Sequence, residues 1–471
     1  MMKQRPTCTT ALERMSGVGV MVILSFLCAP LCSALPETDA PNLSPASAEA
    51  KVLPLPRIGV RRNPGAPGEF YRCDTGEPFL PKGFNHTVLE RGATGWHATF
   101  NVGVYDPAKM DATLRAMAAA GANTIRVWAW GTQNASGFTG APDSQGLNPA
   151  YMEDFLDFLR RSGRAGVYVV PILDETPHNP SYNAVAAQAE PVSGDGPIRG
   201  YNRNYLSPGP LAAKAAAAAD FVRYIRDADP VLLNTVLGWS FANEVFVNNT
   251  QGPFDLSAGT VVTASGRAYD MAEDARRQAC YDETIVHWAN TLATAVKEVD
   301  PNALTTAGMW TSDAHGRPPV NYLHADGKDP RVPPRPSVLA APECRLDFLD
   351  IHVYPWDGTS RVNRDAHEAD AVIAAGKPVL VGEYGVFKNK TAAEARIMMR
   401  DMVEQAVSFG YRGGAALGLG PDDGGRADLE RRGGRTGRLA YADRPAAQMR
   451  VPLSIPSAGA GRGPAPPGTP R

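Results

Sequence analysis

Two glutamates, Glu244 and Glu383, sit at the ends of strand-like apolar runs, in TVLGWSFANE and GKPVLVGEYG. Splitting a glycosidic bond with retention of configuration needs two carboxyl groups about 5 Å apart, one to protonate the leaving oxygen and one to attack the sugar carbon. Both must be held rigidly. Strand ends on a barrel do this, because the core fixes the strands while the loops beyond them shape a cleft. A glutamate on a loop is ordinarily a solvated charge, so the case for chemistry rests on what surrounds these two.

The surroundings are a repeating order in which short apolar runs alternate with longer amphipathic stretches, the pattern of βα units around a parallel sheet. The strand candidates are FLPKGFN, NTIRVWAW, VYVVPIL, TVLGWSFANE, ALTTAGM, LDFLDIHVY, KPVLVGE and RGGAALGLG. Helices are expected from Pro107 to Ala120, Pro149 to Arg164, Pro210 to Asp227, Tyr269 to Val299, Asp365 to Ala375 and Ala392 to Phe409. In the first, Pro at the first turn and Asp111 near the start suit helix initiation. In the second, Phe155, Leu156 and Leu159 share one face. The fold class expected is α/β, a (β/α)8 TIM barrel with an atypical or incomplete eighth βα unit. The fifth helix, somewhere in residues 316 to 345, is poorly written. On this count Glu244 ends the fourth strand and Glu383 the seventh, which brings both to the C-terminal face, where barrel active sites lie. An open doubly wound sheet is the alternative, but no GxGxxG or GxxxxGK[ST] loop follows an early strand, so nucleotide binding has no support.

The segments GWSFANE, DIHVYPW and KPVLVGEYG resemble those around strands four, six and seven of clan A glycoside hydrolases, and GFN and GANTIRVW match the patterns around the first two strands. Within that clan the chain most resembles glycoside hydrolase family 5, the cellulase and mannanase group, over residues 70 to 420. The resemblance implies roles that the chemistry also supports. Glu244 would be the general acid/base, protonated when catalysis begins and helped in this by a nearby carboxylate and partial burial. Glu383 would be the nucleophile, forming a glycosyl-enzyme that water hydrolyses. Asn243 would donate a hydrogen bond to the sugar 2-hydroxyl.

Arg126 lies in the otherwise apolar run NTIRVWAW, and a buried guanidinium needs carboxylate partners. In the family the matching arginine hydrogen-bonds near the nucleophile and keeps it ionised; a structural salt bridge elsewhere is the alternative. His352 and Tyr354 alternate along one strand and face the same way. Tyr354 could bond the nucleophile, and His352 the sugar or the acid/base, unless His352 is a satisfied core histidine. Sugar rings offer apolar C–H faces to aromatic side chains. Trp128, Trp130, Trp310 and Trp356 lie at or just beyond strand ends, and half of them are expected to touch ligand while the rest pack the rim. Asn85, His86 and His178 fall in the right neighbourhoods after strands one and three, although LDETPHN does not match the family pattern cleanly.

No cofactor or metal is expected. The acidic pairs Asp174/Glu175 and Asp422/Asp423 lack histidines at metal-ligand spacing and read as solvated loop charges. A formal net charge of -2 on 471 residues leaves no basic stripe for phosphates, which argues against nucleic acid. The partner expected is an oligosaccharide or polysaccharide, and the protein a monomer.

At the N-terminus Lys3, Arg5 and Arg14 precede GVGVMVILSFLCAPLCSA, an apolar run interrupted by Pro30 and shorter than the roughly 20 residues that span a bilayer. Residues 1–34 read as a signal peptide, so the mature protein is expected to be secreted or periplasmic, with no stable membrane insertion. Cys8, Cys28 and Cys32 leave with that segment, and Cys73, Cys280 and Cys344 allow at most one disulfide. Residues 35–67 are a Pro/Ala-rich linker or arm, and 68–420 the barrel domain.

Residues 421–471 depart from the pattern, with nine Arg, no Lys and no Trp or Phe. Family 5 barrels typically place a Trp after strand eight as the floor of the sugar site, and GGAALGLGPDDGG has no aromatic. The tail is either disordered or the product of a shifted reading frame near Leu417; a genuine tail predicts an open edge between strands one and eight. Two functions follow: a secreted retaining β-glycosidase of the endo-β-1,4-glucanase or β-mannanase type, or a catalytically impaired carbohydrate-binding relative. A barrel with unrelated chemistry would need a buried catalytic lysine or a histidine metal cluster.

Overall fold

The computed structural model describes residues 54–89, 97–130, 135–141, 143–190, 197–316, 323, 329–355, 358–386 and 390–417. The expected signal peptide, most of the arm, Trp356 and the tail from 418 onward lie outside the described residues.

The strand candidates form a ring of parallel strands in chain order: Lys82–His86, Thr124–Trp128, Tyr168–Ile172, Trp239–Ser240, Thr305–Thr306 with Gly308–Met309, Leu349–Val353, Val379–Tyr384 and Gly414–Leu417. The fifth strand is in two pieces, of which the first pairs with the fourth strand and the second with the sixth. Taken as one interrupted strand, they make an eight-stranded, TIM-barrel-like α/β fold. Strand eight runs beside strand one from Gly414↔Lys82 to Leu417↔Asn85. The edge foreseen between them is therefore paired, because the four residues that close it lie ahead of the altered composition. Strand one approaches strand two through Gly83, where a Cβ would lie 1.8 Å from the Thr124 carbonyl oxygen.

Below the barrel, Ile58–Arg61, Glu69–Arg72 and Pro78–Phe79 form an antiparallel sheet. Its Ile58 and Phe70 are buried with Tyr168, Val170, Leu237, Leu304, Phe348 and Leu380, residues at the N-terminal ends of barrel strands. The sequence boundary at 68 thus falls inside this plug, whose first strand is too short and too polar to stand out from the arm.

Helices begin where the sequence offers caps. Asp106 accepts from the backbone N–H groups of Ala108 and Lys109 at the start of Pro107–Ala119, and Asn148 from that of Ala150 at the start of Pro149–Arg164. Thr391 and Glu394 form a capping box on Ala392–Ser408. The helix expected from Tyr269 starts later, as Asp274–Val299, because Ala268–Asp270 pairs as a strand with Thr260–Val262. The poorly written fifth helix is the single short Pro336–Ala340. Cys73 is exposed, Cys280 and Cys344 are buried, and all three are free thiols, so no disulfide joins them.

Candidate active site

Strand seven delivers Glu383 into the barrel, fully buried. Glu244 arrives differently. Strand four ends at Ser240, and the chain beyond it is stapled to strand five by Phe241 N–H to Thr306 O (2.9 Å), Gly308 N–H to Ala242 O (3.0 Å) and Val245 N–H to Gly308 O (2.8 Å). Gly308 permits this, since a Cβ there would lie 2.0 Å from the Asn243 carbonyl oxygen. Glu244 therefore stands past the strand rather than closing it, with a side chain 11% exposed. One oxygen of Glu244, one of Glu383 and a ring nitrogen of His352 all lie within 4.8 Å of one another.

Arg126 organises the floor beneath them. Its Nη1 donates to Glu383 Oε1 at 2.7 Å, to Asn85 Oδ1 at 3.0 Å and to Asn243 Oδ1 at 3.1 Å. Its Nη2 donates to the Asn243 carbonyl (3.2 Å) and its Nε to Asp350 Oδ2 (3.1 Å). Burial works against this charge, but Asp350 and Glu383 outweigh it and hold the guanidinium above its ordinary value. Tyr354 donates its hydroxyl to Glu383 Oε2 at 2.6 Å. Burial first and then Glu383 push that phenol well above its usual range, so it remains a donor. Both oxygens of Glu383 are thus taken by donors that cannot leave.

Glu244 has a different partner, the Nδ1 of buried His352, 2.8 Å from its Oε1. Burial and Arg126 disfavour charge on His352, yet Glu383, the bond to Glu244 and Asp350 together raise it above its ordinary value. Asn243 uses its Oδ1 on Arg126, which leaves its amide Nδ2 as a donor. Its backbone N–H donates to Asp174 Oδ1 at 2.8 Å. Asp174 is therefore bound and half-buried, not the solvated loop charge its position suggested. Behind it, the ammonium of buried Lys214 donates to the Asp174 carbonyl and sits 5.4 Å from the Trp288 ring centre.

The remaining expected residues divide. Asn85 donates to the Gly382 and Ala415 carbonyls and accepts from Arg126, so it ties strands one, seven and eight together. His86 is buried at the end of strand one, and burial pushes it down to about 4, so it is neutral. Trp128 lies flat against His97 at 3.9 Å, with the Arg126 guanidinium 5.6 Å from its ring centre. Trp310 packs against Phe246 (5.5 Å) and under Arg331 (5.1 Å), and Phe246 stacks on the partly exposed Tyr201 at 4.4 Å. Trp130 belongs to the core, stacked on Phe138 and edge-on to Phe221, because the chain turns its ring away from the strand ends. His178 is exposed on the loop after strand three and bonds neither glutamate.

Asp350, Asp174, Lys214, His97 and the Tyr201–Phe246 pair were not foreseen. Only Asp350 carried a signal, since it shares the parity of His352 and Tyr354 along one strand. Glu244, His352 and Glu383 have spacing that could bracket a cation. Both oxygens of Glu383 are already taken by Arg126 and Tyr354, His352 Nδ1 is taken by Glu244, and the guanidinium 2.7 Å from Glu383 would repel a second cation. The arrangement fits a pair of carboxylates that carries its own internal cation, Arg126.

A family model, Cellulase (glycosyl hydrolase family 5), matches residues 74–411. The chain belongs to glycosyl hydrolase family 5. Among curated relatives of this family 5 protein, mannan endo-1,4-beta-mannosidase A of Hypocrea jecorina is 31% identical over 136 residues, 27% of this chain and 29% of the relative. Mannan endo-1,4-beta-mannosidase F of Aspergillus fumigatus is 27% identical over 164 residues, 33% of this chain and 35% of the relative. The chain thus aligns with about a third of the length of these relatives. In fold it is similar to the endo-1,4-beta-mannanase of Rhizomucor miehei, with a TM-score of 0.50 at 15% identity, covering 75% of this chain and 89% of that one.

Proposed function

We propose that this family 5 protein is an exported, retaining β-glycoside hydrolase that cuts β-1,4-linked mannan by double displacement. The observation that carries this is the separation of Glu244 and Glu383 oxygens, within 4.8 Å. Retaining enzymes keep their carboxyls about 5–5.5 Å apart, and inverting ones about 6.5–9.5 Å, to leave room for a water. Glu383, clamped by Arg126 and Tyr354, attacks the anomeric carbon. Glu244 gives its proton to the departing oxygen, and then takes a proton from the water that releases the sugar. The free Nδ2 of Asn243 donates to the 2-hydroxyl, and the partly exposed Tyr201 and Phe246 offer ring faces near Glu244, with buried Trp310 packed behind Phe246. Mannan is favoured over glucan because the aligned relatives described above are mannan endo-1,4-beta-mannosidases.

The test is hydrolysis of mannan, glucomannan and β-1,4-glucan by the purified protein and by Glu383→Ala, with NMR of the first anomer released. Retention on mannan by the wild type and none by the variant is expected. Inversion, or equal turnover by both proteins, overturns the mechanism; cleavage confined to glucan overturns the substrate; binding without cleavage supports the impaired, carbohydrate-binding alternative. Export is supported by the composition of residues 1–34. It predicts a mature chain beginning after Ala34 in the exported fraction, and an intracellular product that keeps Met1 or Met2 would refute it.

A further inference from the structure

Asp350 is a fully buried carboxylate with no part in the double displacement, yet it touches the partners of both glutamates. Its Oδ2 accepts from Arg126 Nε at 3.1 Å, and the same guanidinium clamps Glu383. Its Oδ1 faces His352 Nε2 at 3.7 Å, and His352 holds Glu244 through its other nitrogen. Neither Oδ1 nor that Nε2 has a hydrogen-bond partner, although both are buried. Two buried polar atoms that face each other at 3.7 Å with no other partner make each the other's nearest electrostatic neighbour on that side.

Strand seven makes room for it. The residue before the nucleophile is Gly382, where a Cβ would lie 1.5 Å from Asp350 Oδ1. One cation, Arg126, is therefore shared between two carboxylates that are each 0% exposed. The charged groups facing His352 are Glu244, Glu383, Asp350 and Arg126. With Asp350 present this set holds three carboxylates, two of them fully buried, against one permanent cation, which favours keeping a proton on the Glu244–His352 pair.

We propose that Asp350 is a positioning residue that couples the two glutamates. It keeps His352 protonated at Nε2, so that Nδ1 is the atom exchanging a proton with Glu244, and it draws part of Arg126 away from Glu383. The inference rests on the double-displacement reading for its kinetic consequences only. No net chemistry is added, since the proton moves between Glu244 Oε1 and His352 Nδ1 and returns.

Asp350→Asn preserves the shape and the acceptor for Arg126 but removes the charge. The alkaline limb of kcat/KM, set by loss of the proton from the Glu244–His352 pair, should move to lower pH. The acidic limb, set by ionisation of Glu383, should also move down, because Glu383 is then the one carboxylate on Arg126 and no longer shares the guanidinium's charge with a second. Each shift should be about one pH unit, the low end of what a charge within 4–6 Å produces. A lower kcat with unmoved limbs, which a purely structural role would give, overturns the proposal, as do limbs that separate or move up. The wild type supplies an arm independent of activity and of the variant's folding. Histidine-labelled 15N spectra, assigned against His352→Gln, should show a protonated Nε2 throughout pH 5 to 8, and a bare Nε2 overturns the proposal. A wild type inactive on every glycan but with protonated Nε2 would sink the hydrolase reading and leave the Asp350–His352 coupling standing.

Discussion

Glu383 and Glu244 are the same residue type a few ångströms apart, and the protein treats them in opposite ways. Glu383 is 0% exposed, with one oxygen on Arg126 and the other on Tyr354. Glu244 is 11% exposed and has a single bonded oxygen, against a histidine. A carboxylate sealed between fixed donors keeps its charge and its aim. One beside a titratable ring and open water can gain and lose a proton during turnover. Burial and partners, not residue identity, separate the two roles.

The contrast is broken most severely at the buried side. Glu383→Ala should lose about 10,000-fold or more in kcat, the scale for removing a covalent nucleophile, on every substrate regardless of leaving group. Glu244→Ala should lose about 100- to 10,000-fold on mannan, the range for acid–base help, but far less on aryl glycosides whose leaving group needs no proton. Added azide should restore turnover of those activated substrates in the Glu244 variant and give a β-azide product. If both variants respond alike to leaving group and azide, the two sites are not the distinct pair described above.

Next comes Tyr354→Phe, which removes one of the two donors on Glu383. A hydrogen bond to a charged group contributes about 1.5–3 kcal/mol, so kcat/KM should fall by about 10- to 100-fold. The sign in pH is also fixed. Without that donor the nucleophile is protonated more readily, so the acidic limb moves to higher pH, opposite to Asp350→Asn. An unmoved acidic limb would mean that the 2.6 Å contact does not govern Glu383.

Much of this asymmetry was legible in the sequence, because strands on a barrel write themselves as apolar runs and a charged residue inside one stands out. Arg126 in NTIRVWAW, and the alternation of His352 and Tyr354, led directly to the clamp on the two glutamates. Trp130 misled because periodicity places a residue near a rim without saying which way the backbone turns past the last ladder bond. Strand four misled in the same way, since Glu244 is held by loop hydrogen bonds to strand five that depend on Gly308. Asp350 escaped because its environment comes from Gly382 and Arg126, each on a different strand. Asp174 and Lys214 escaped because their contacts are to backbone atoms, which carry no sequence signal.

The smallest effect sharpens the Glu244 side alone. Lys214 reaches Glu244 only through Asp174 and the backbone of Asn243, so Lys214→Met should lower kcat only several-fold, mainly on substrates with poor leaving groups. Burial pushes Lys214 down to about 8. In the unfolded chain a lysine titrates near 10.4, so between these values the unfolded state binds more protons and the wild type gains stability relative to the variant as pH rises. Lys377 is the control. Burial also pushes it to about 8, but its ammonium donates to the Leu339, Ala341 and Cys344 carbonyls at the opposite end of strand seven. Unfolding measured between pH 8 and 10.5 should show the same change of slope for Lys377→Met, while its kcat stays at the wild-type value. A matching drop in kcat for both variants would show that Lys214 acts through general stability, and would remove it from the chain of contacts that holds Glu244.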